Sequence, residues 1–205
     1  MKILCVGMNY PEHNRELESG LQLPSDPVIF TKPDSAVLKN GKPFFIPDFA
    51  QRFDYETELV VRIDRMGKSI PERFAYRYIG AVTVGIDFTA RDMQRALRDK
   101  GLPWDLSKGF DGSAVLGEWV PAEEVGDLQQ LTFHLDIDGQ TVQTGFTGDM
   151  LFSVAQLVAY VSRFHTLKTG DLLFTGTPAG VGPVHPNQHL DGWLGERKVL
   201  SFNVK

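Results

Sequence analysis

The chain has 205 residues, with 21 Lys plus Arg against 26 Asp plus Glu and a formal net charge of −5. Its 42% hydrophobic and 23% charged content is ordinary for a globular protein and excludes disordered, collagen-like and coiled-coil chains. A mildly acidic chain without a basic run is a poor partner for nucleic acid or an anionic membrane. One cysteine excludes an internal disulfide and a Cys-rich zinc site, and suits a reducing compartment. The length predicts one domain over residues 1–205, able to bury roughly 70% of its unfolded surface. No stretch approaches the ~20 apolar residues of a membrane span. The chain reads as soluble and cytoplasmic.

From the N-terminus, Ile3–Val6 reads as a first strand. The run meets Asn9, Pro11 and His13 too early for a secretory signal. Pro11–Ser19 is compatible with a short helix carrying proline in its first turn. Gly20, Pro24 and Pro27 follow it as a connection able to hinge, which makes Pro11 to about Leu23 a candidate lid. Short apolar runs punctuated by Gly and Pro predict strands over Val28–Thr31, Phe44–Ile46, Tyr55–Ile63, Ile79–Ile86, Leu131–Ile137, Leu172–Thr175 and Val199–Val204. Asp138-Gly139 predicts a hairpin joining Leu131–Ile137 to Gln140–Thr144. Thr89, followed by Asp92, predicts a capped helix that Gly101 and Pro103 close. Val154, Leu157, Val158 and Val161 carry the helical spacing of a second helix over Ser153–His165.

Within the strand predicted over 55–63, Glu56 and Glu58 point to one face, and Tyr55, Thr57, Leu59, Val61 and Ile63 to the other. The plain reading puts the glutamates in water. The chemical reading places a hard divalent cation between them, and then a third oxygen ligand is required. Asp87, at a strand end before Thr89, either makes an Asx turn or supplies that ligand. The three acids would suit Mg²⁺, Mn²⁺ or Ca²⁺. Lys108 taken alone reads as a solvated lysine. Thr175–Gly182 lacks the Gly-Lys-Ser/Thr ending of a phosphate loop but could offer N–H groups and hydroxyls to a small carboxylate. His13 and Glu16, three apart, are either an exposed pair or an imidazole base oriented by a carboxylate.

Taken together these segments resemble the fumarylacetoacetate hydrolase family, in its small acylpyruvase/oxaloacetate decarboxylase branch. The resemblance runs from Val6-Gly7-Met8-Asn9-Tyr10-Pro11-Glu12-His13 through Ile29–Pro33, Tyr55–Leu59, Gly85–Asp92 and Lys100–Trp104 to Gly170–Gly182. It implies a strand-rich α+β fold, a mixed β-sandwich roll with a few short helices, usually a homodimer. It implies that Glu56, Glu58 and Asp87 bind Mg²⁺ or Mn²⁺, and that Lys108 stabilises developing negative charge. By the same resemblance Arg91, Gln94 and Thr177 contact a 2-oxo acid, while His13 and Glu16 form the base dyad on a segment that orders over the substrate. Met8 stands where the family often has Arg or Lys. The implied reaction is metal-dependent cleavage of acylpyruvates or decarboxylation of oxaloacetate. The alternatives are an isomerase, decarboxylase or hydratase of dienoates, or a catalytically silent metal-binding relative.

Overall fold

The structure, a computed structural model, describes residues 1–17, 23–38 and 41–205. The strands are β1 (Ile3–Gly7), β2 (Val28–Lys32), β3 (Val37–Leu38), β4 (Phe53–Tyr55), β5 (Thr57–Ile63), β6 (Ile79–Asp87), β7 (Thr89–Ala90), β8 (Ala114–Leu116), β9 (Val120–Pro121), β10 (Thr132–Ile137), β11 (Gln140–Phe146), β12 (Leu172–Phe174), β13 (Gly182–Pro183), β14 (His189–Leu194) and β15 (Arg197–Asn203). The α-helices are α1 (Pro11–Leu17), α2 (Arg91–Asp99), α3 (Asp105–Lys108), α4 (Ala122–Val125) and α5 (Val154–Phe164). The predicted strand-rich α+β class holds.

A mixed sheet in the order β2-β1-β12-β5-β6-β8-β3, with β9 also on β6, forms the main layer. A four-stranded antiparallel sheet, β11-β10-β14-β15, packs against it, and a small sheet, β13-β4-β7, joins the two at one end. β5 and β6 are buried along nearly their whole length, as strands covered on both faces must be. Leu59, Val61 and Ile63 enter the largest apolar cluster with α5, whereas Val60 enters another with Ile3 and Phe174. Gly85, opposite Glu58, permits the tight centre of this sheet. A Cβ there would meet Val115 O at 2.8 Å and Val60 Cγ2 at 2.7 Å.

Local signals survive where they are short-ranged. Ser153 caps α5 and accepts from Gln156 N, while Gln156 reaches back to Ser153 N, a complete capping box. Asp138 and Gly139 both adopt positive φ, 52° and 80°, as a two-residue hairpin turn requires. Gly101, at φ 64°, follows the end of α2.

Three expectations change. The strand predicted over Tyr55–Ile63 is interrupted at Glu56, because the chain leaves the small sheet as β4 and enters the main sheet as β5. Thr89 does not cap α2. It pairs with Asp54 as a strand residue, Ala90 takes the cap position without a side-chain bond, and Arg91 N donates to Arg52 O at 2.8 Å. Phe44–Ile46 makes only a bridge, Phe44 to Val204. The helix expected over Pro11–Ser19 is present as Pro11–Leu17; Ser19, Gly20 and the part of the candidate lid at 18–22 lie outside the described residues.

Candidate active site and metal centre

Three chain segments meet where β5, β6 and the turn after β12 converge. At the crossing between sheets, Glu56 O accepts from Asp87 N at 2.8 Å and Thr57 N donates to Gln143 Oε1 at 3.0 Å. These bonds turn the Glu56 and Glu58 side chains inward. Both are buried, as is Asp87, so the reading that put the glutamates in water fails. One oxygen from each of the three acids lies within 4.8 Å of the others.

Cations surround two of the acids. Lys108 Nζ donates to Glu56 Oε2 at 2.7 Å and to Asp87 Oδ2 at 2.9 Å. Lys32 Nζ lies 2.6 Å from Asp87 Oδ1, donates to Ser113 Oγ at 3.1 Å and also bonds the Lys108 carbonyl. Arg91 holds Glu56 Oε1 through Nη2 at 2.5 Å and Asp54 Oδ2 through Nε at 2.8 Å. Glu58 differs. It accepts from Gly176 N at 2.7 Å and, among the described residues, forms no ion pair.

Ionisation follows from these partners. Burial opposes the Glu56 carboxylate, but Lys108 and Arg91 override it and hold the carboxyl below its ordinary range. Burial pushes the Glu58 carboxyl well up, and the Asp87 and Glu56 charges add to this. Burial alone would discharge Lys108, yet Asp87 and Glu56 keep its ammonium above the ordinary value. Four buried carboxylates, Asp54 included, thus face three buried cations, and the unbalanced member is Glu58. An all-oxygen donor set with one uncompensated carboxylate fits a hard divalent cation, with Glu56, Glu58 and Asp87 as its protein ligands.

Glu56 and Glu58 open on a cavity of about 130 Å³ lined also by Met8, His13, Phe30, Gln94, Arg98, Trp104 and Thr177, with Asp87 buried behind them. Wider grooves elsewhere reach about 770 Å³ but contain none of the clustered acids. Phe30 and Trp104 meet edge to face at 5.9 Å, and Lys108 Nζ lies 5.1 Å from the centre of the Phe30 ring. Met8, at φ 62°, turns the chain from β1 into α1 and lines the cavity with an uncharged side chain. Arg91, Gln94 and Arg98 follow one face of α2 from the buried end outward.

α1 brings His13 to this cavity. The imidazole is buried, 3.5 Å from Glu16 Oε2 through Nδ1, and Glu16 Oε2 in turn accepts from Gly180 N at 3.0 Å. Burial lowers the His13 pKa, with Arg91 adding to this and Glu56 and Glu16 opposing it, so the neutral ring prevails near pH 7. The Thr177 hydroxyl donates to Thr57 O at 3.0 Å and accepts from Gln143 Nε2 at 2.8 Å. All nine side chains singled out in the sequence therefore converge on one site; seven line the cavity, and Asp87 and Glu16 stand just behind the lining.

Lys32, Asp54, Asn9 and Gln143 were not singled out. Lys32 closes an apolar run before a proline and reads like a surface lysine. Asp54 adjoins the paired glutamates, and only its two arginine partners reveal it. Asn9 secures the root of α1, with Nδ2 donating to Thr175 O at 2.8 Å and to Phe152 O at 3.1 Å.

The chain matches the fumarylacetoacetate (FAA) hydrolase C-terminal family over residues 2–204. It is 38% identical over 203 residues to the mouse (Mus musculus) protein named oxaloacetate tautomerase FAHD1, mitochondrial, covering 99% of this chain and 91% of that one. The crystal structure of fumarylpyruvate hydrolase from Pseudomonas aeruginosa in complex with Mn²⁺ and pyruvate superposes with a TM-score of 0.92 at 36% identity, covering 100% of this chain and 89% of that one. The 5-carboxymethyl-2-hydroxymuconate delta-isomerase of Mycobacterium smegmatis superposes with a TM-score of 0.86 at 33% identity, covering 99% and 78%. With the family match running almost end to end, this chain belongs to the fumarylacetoacetate hydrolase family of enzymes.

Proposed function

We propose that this chain is a divalent-metal-dependent hydrolase and lyase of short 2-oxo acids, cleaving acylpyruvates to pyruvate and a carboxylic acid and decarboxylating oxaloacetate. The observation that carries it is the meeting of three buried acids with Lys108 and His13 at one small cavity, which Glu56 and Glu58 line. Glu56, Glu58 and Asp87 would hold Mg²⁺ or Mn²⁺. A bound cation of this kind would orient the 2-oxo carboxylate and polarise its ketone.

The remaining roles fall to the protein. Arg91 and Gln94 bind the carboxylate end of the substrate, with Thr177 beside them. In acylpyruvate hydrolysis, His13 takes a proton from water and hydroxide adds to the distal carbonyl. The bond between that carbon and C3 then breaks, leaving a carboxylic acid and the electron pair of a pyruvate enolate. Lys108, an ammonium in a dry cavity, offsets the enolate charge, and protonation at C3 gives pyruvate. Oxaloacetate decarboxylation releases CO₂ to the same enolate without an attacking water.

A second reading has its own support. The relatives named tautomerase and delta-isomerase share this fold. A neutral buried imidazole could equally move a proton at C3 without breaking a carbon–carbon bond. The dienoate isomerase alternative belongs here as well. We assign residues 1–205 to a single catalytic domain and expect a cytoplasmic homodimer, which light scattering on the purified protein checks. Among the described residues no helix is long and apolar enough to cross a membrane.

The functional test is turnover of acetylpyruvate, oxaloacetate and 2-hydroxyhepta-2,4-diene-1,7-dioate by protein loaded with Mg²⁺ or Mn²⁺. Pyruvate release from the first two is expected. Conversion of the dienoate alone would favour the second reading, and no turnover of any would overturn both.

A further inference from the structure

Asp54 does not line the cavity, yet it is as buried as the acids that do, at 1% exposure. It lies on β4, in register with Thr89 of β7 on one side and Pro183 of β13 on the other. The small sheet beneath it thereby ties together the approach to Glu56, the start of α2 and the end of the Thr175–Gly182 loop. Backbone pairing makes those ties, so the Asp54 side chain is available for something else.

Its two oxygens divide between two arginines. Oδ1 accepts from Arg52 Nε at 2.7 Å, and Oδ2 accepts from Arg91 Nε at 2.8 Å. Arg52 is 44% exposed, whereas Arg91 is buried and faces the cavity. The rest of the Arg91 fork is also engaged, with Nη2 on Glu56 Oε1 at 2.5 Å and Nη1 on Gln94 Oε1 at 2.7 Å. A guanidinium has five N–H donors, and these contacts use three. Two remain on the Nη edge, the number a bidentate carboxylate takes.

Where Asp54 binds is the informative point. If its task were to neutralise Arg91, an Nη contact would serve as well, as it does for Glu56. A bond to Nε, at the inner edge of the fork, fixes the last torsions of a side chain that otherwise carries ~2 kcal/mol of rotamer entropy. Buried ion pairs are also weak stabilisers in their own right. We propose that Asp54 is a positioning residue, gripping Arg91 at Nε so that its Nη edge is presented to the carboxylate of the incoming 2-oxo acid. This inference rests on the reading of Arg91 as a substrate contact given above.

The experiment measures oxalate binding by calorimetry in Mn²⁺-loaded protein, Mn²⁺ binding alone, and KM and kcat for oxaloacetate. Asp54→Ala is expected to weaken oxalate about tenfold, the effect of losing one charge-assisted hydrogen bond. KM should rise in step, with kcat and Mn²⁺ affinity largely kept. Asp54→Asn has one carbonyl oxygen for two arginines and is expected to show a smaller loss. Adding Arg52→Ala to Asp54→Asn frees that oxygen for Arg91 and should restore oxalate affinity. A merely structural tie predicts the opposite, because removing a second tie should make matters worse. Wild-type oxalate affinity in Asp54→Ala, or parallel loss of Mn²⁺ and oxalate, would overturn the proposal. Should Asp54→Ala not fold, the Asn variant with and without Arg52→Ala decides: a loss that Arg52→Ala reverses supports the grip, and any other pattern overturns it. Failure of wild-type protein to bind oxalate at all would instead sink the reading of the site.

Discussion

Asp87 is fully buried with two lysines on its carboxylate, while Glu16, at the end of α1, is 38% exposed and reaches one backbone N–H. The two acids belong to one site and differ in what holds them. The carboxylate centre is fixed by strands β5 and β6, by Lys32 and Lys108 and by Arg91. α1 is held mainly by its buried face, by Asn14 Nδ2 donating to Met8 O at 3.0 Å, and by the Glu16–Gly180 bond. The comparison teaches that the groups proposed to offset charge are preorganised, and the proposed base, His13, sits on a lightly tethered helix. Such a division suits chemistry in which a lid must admit substrate and then exclude water.

The centre breaks hardest at Asp87. Asp87→Ala, or excess chelator on the wild type, should abolish turnover of both acetylpyruvate and oxaloacetate. The substitution also takes the carboxylate from buried Lys32 and leaves Lys108 with Glu56 alone, and removing one partner of a buried pair costs about 3–5 kcal/mol. A melting scan should therefore show a large fall for Asp87→Ala. Full activity in chelator at equal protein concentration would refute the metal reading.

His13→Ala is next in size and touches only the α1 side of the comparison. A positioned base is worth ~10²–10⁴-fold. Acetylpyruvate hydrolysis should fall by that order, and oxaloacetate decarboxylation, which needs no activated water, by far less. Lys108→Ala should lower both. Equal losses of the two activities in His13→Ala would end the assignment of this residue as the water-activating base.

How much of this contrast could be read from the sequence depends on range. The paired glutamates, Asp87 at a strand end, the Ser153 capping box and the Asp138-Gly139 turn are local signals, and each survives folding. The break at Glu56 is not local, since it arises when Asp87 N and Gln143 claim the backbone on either side. Thr89 loses its cap role for the same reason, because Asp54 recruits it into a strand. Lys32 and Asp54 are unremarkable in one dimension and become site residues through Asp87 and Arg91, partners distant in sequence. β14 also escaped the reading, as Gly192 stands at an inward position and Trp193 at an outward one, which blurs its alternation.

Glu58 sharpens the comparison within the centre itself, since it is buried like Asp87 but forms no ion pair among the described residues. Its raised pKa means that the folded, metal-free protein holds a proton which the unfolded chain releases above about pH 4.5. Between the unfolded and folded pKa values the native state binds more protons, so this group lowers stability as pH rises. Glu58→Gln removes that liability. Its melting temperature without metal should exceed the wild type's, by a margin that grows from pH 4.5 toward neutrality. Saturating Mn²⁺ should stabilise the wild type and not the variant. A margin that stays flat with pH would show that Glu58 is ionised in the metal-free protein.

The smallest expected effect lies at the tether of α1. Glu16→Ala removes the acceptor for Gly180 N, a bond worth about 1 kcal/mol, and should raise KM several-fold. Amide exchange over Pro11–Leu17 should quicken, and oxalate should slow it less than in the wild type. Glu16→Gln separates the two duties of this side chain. An amide oxygen can still accept from Gly180, so exchange should stay close to wild type. The charge beside His13 is nevertheless gone, and that charge is one of the influences holding the imidazole pKa up. Without it the His13 pKa falls further. Because the base must be deprotonated to act, the acid limb of kcat/KM for acetylpyruvate should move to lower pH in Glu16→Gln. Decarboxylation of oxaloacetate, which does not need that base, should keep its profile. An acid limb that stays in place in Glu16→Gln would mean that Glu16 anchors the helix and does nothing for the imidazole.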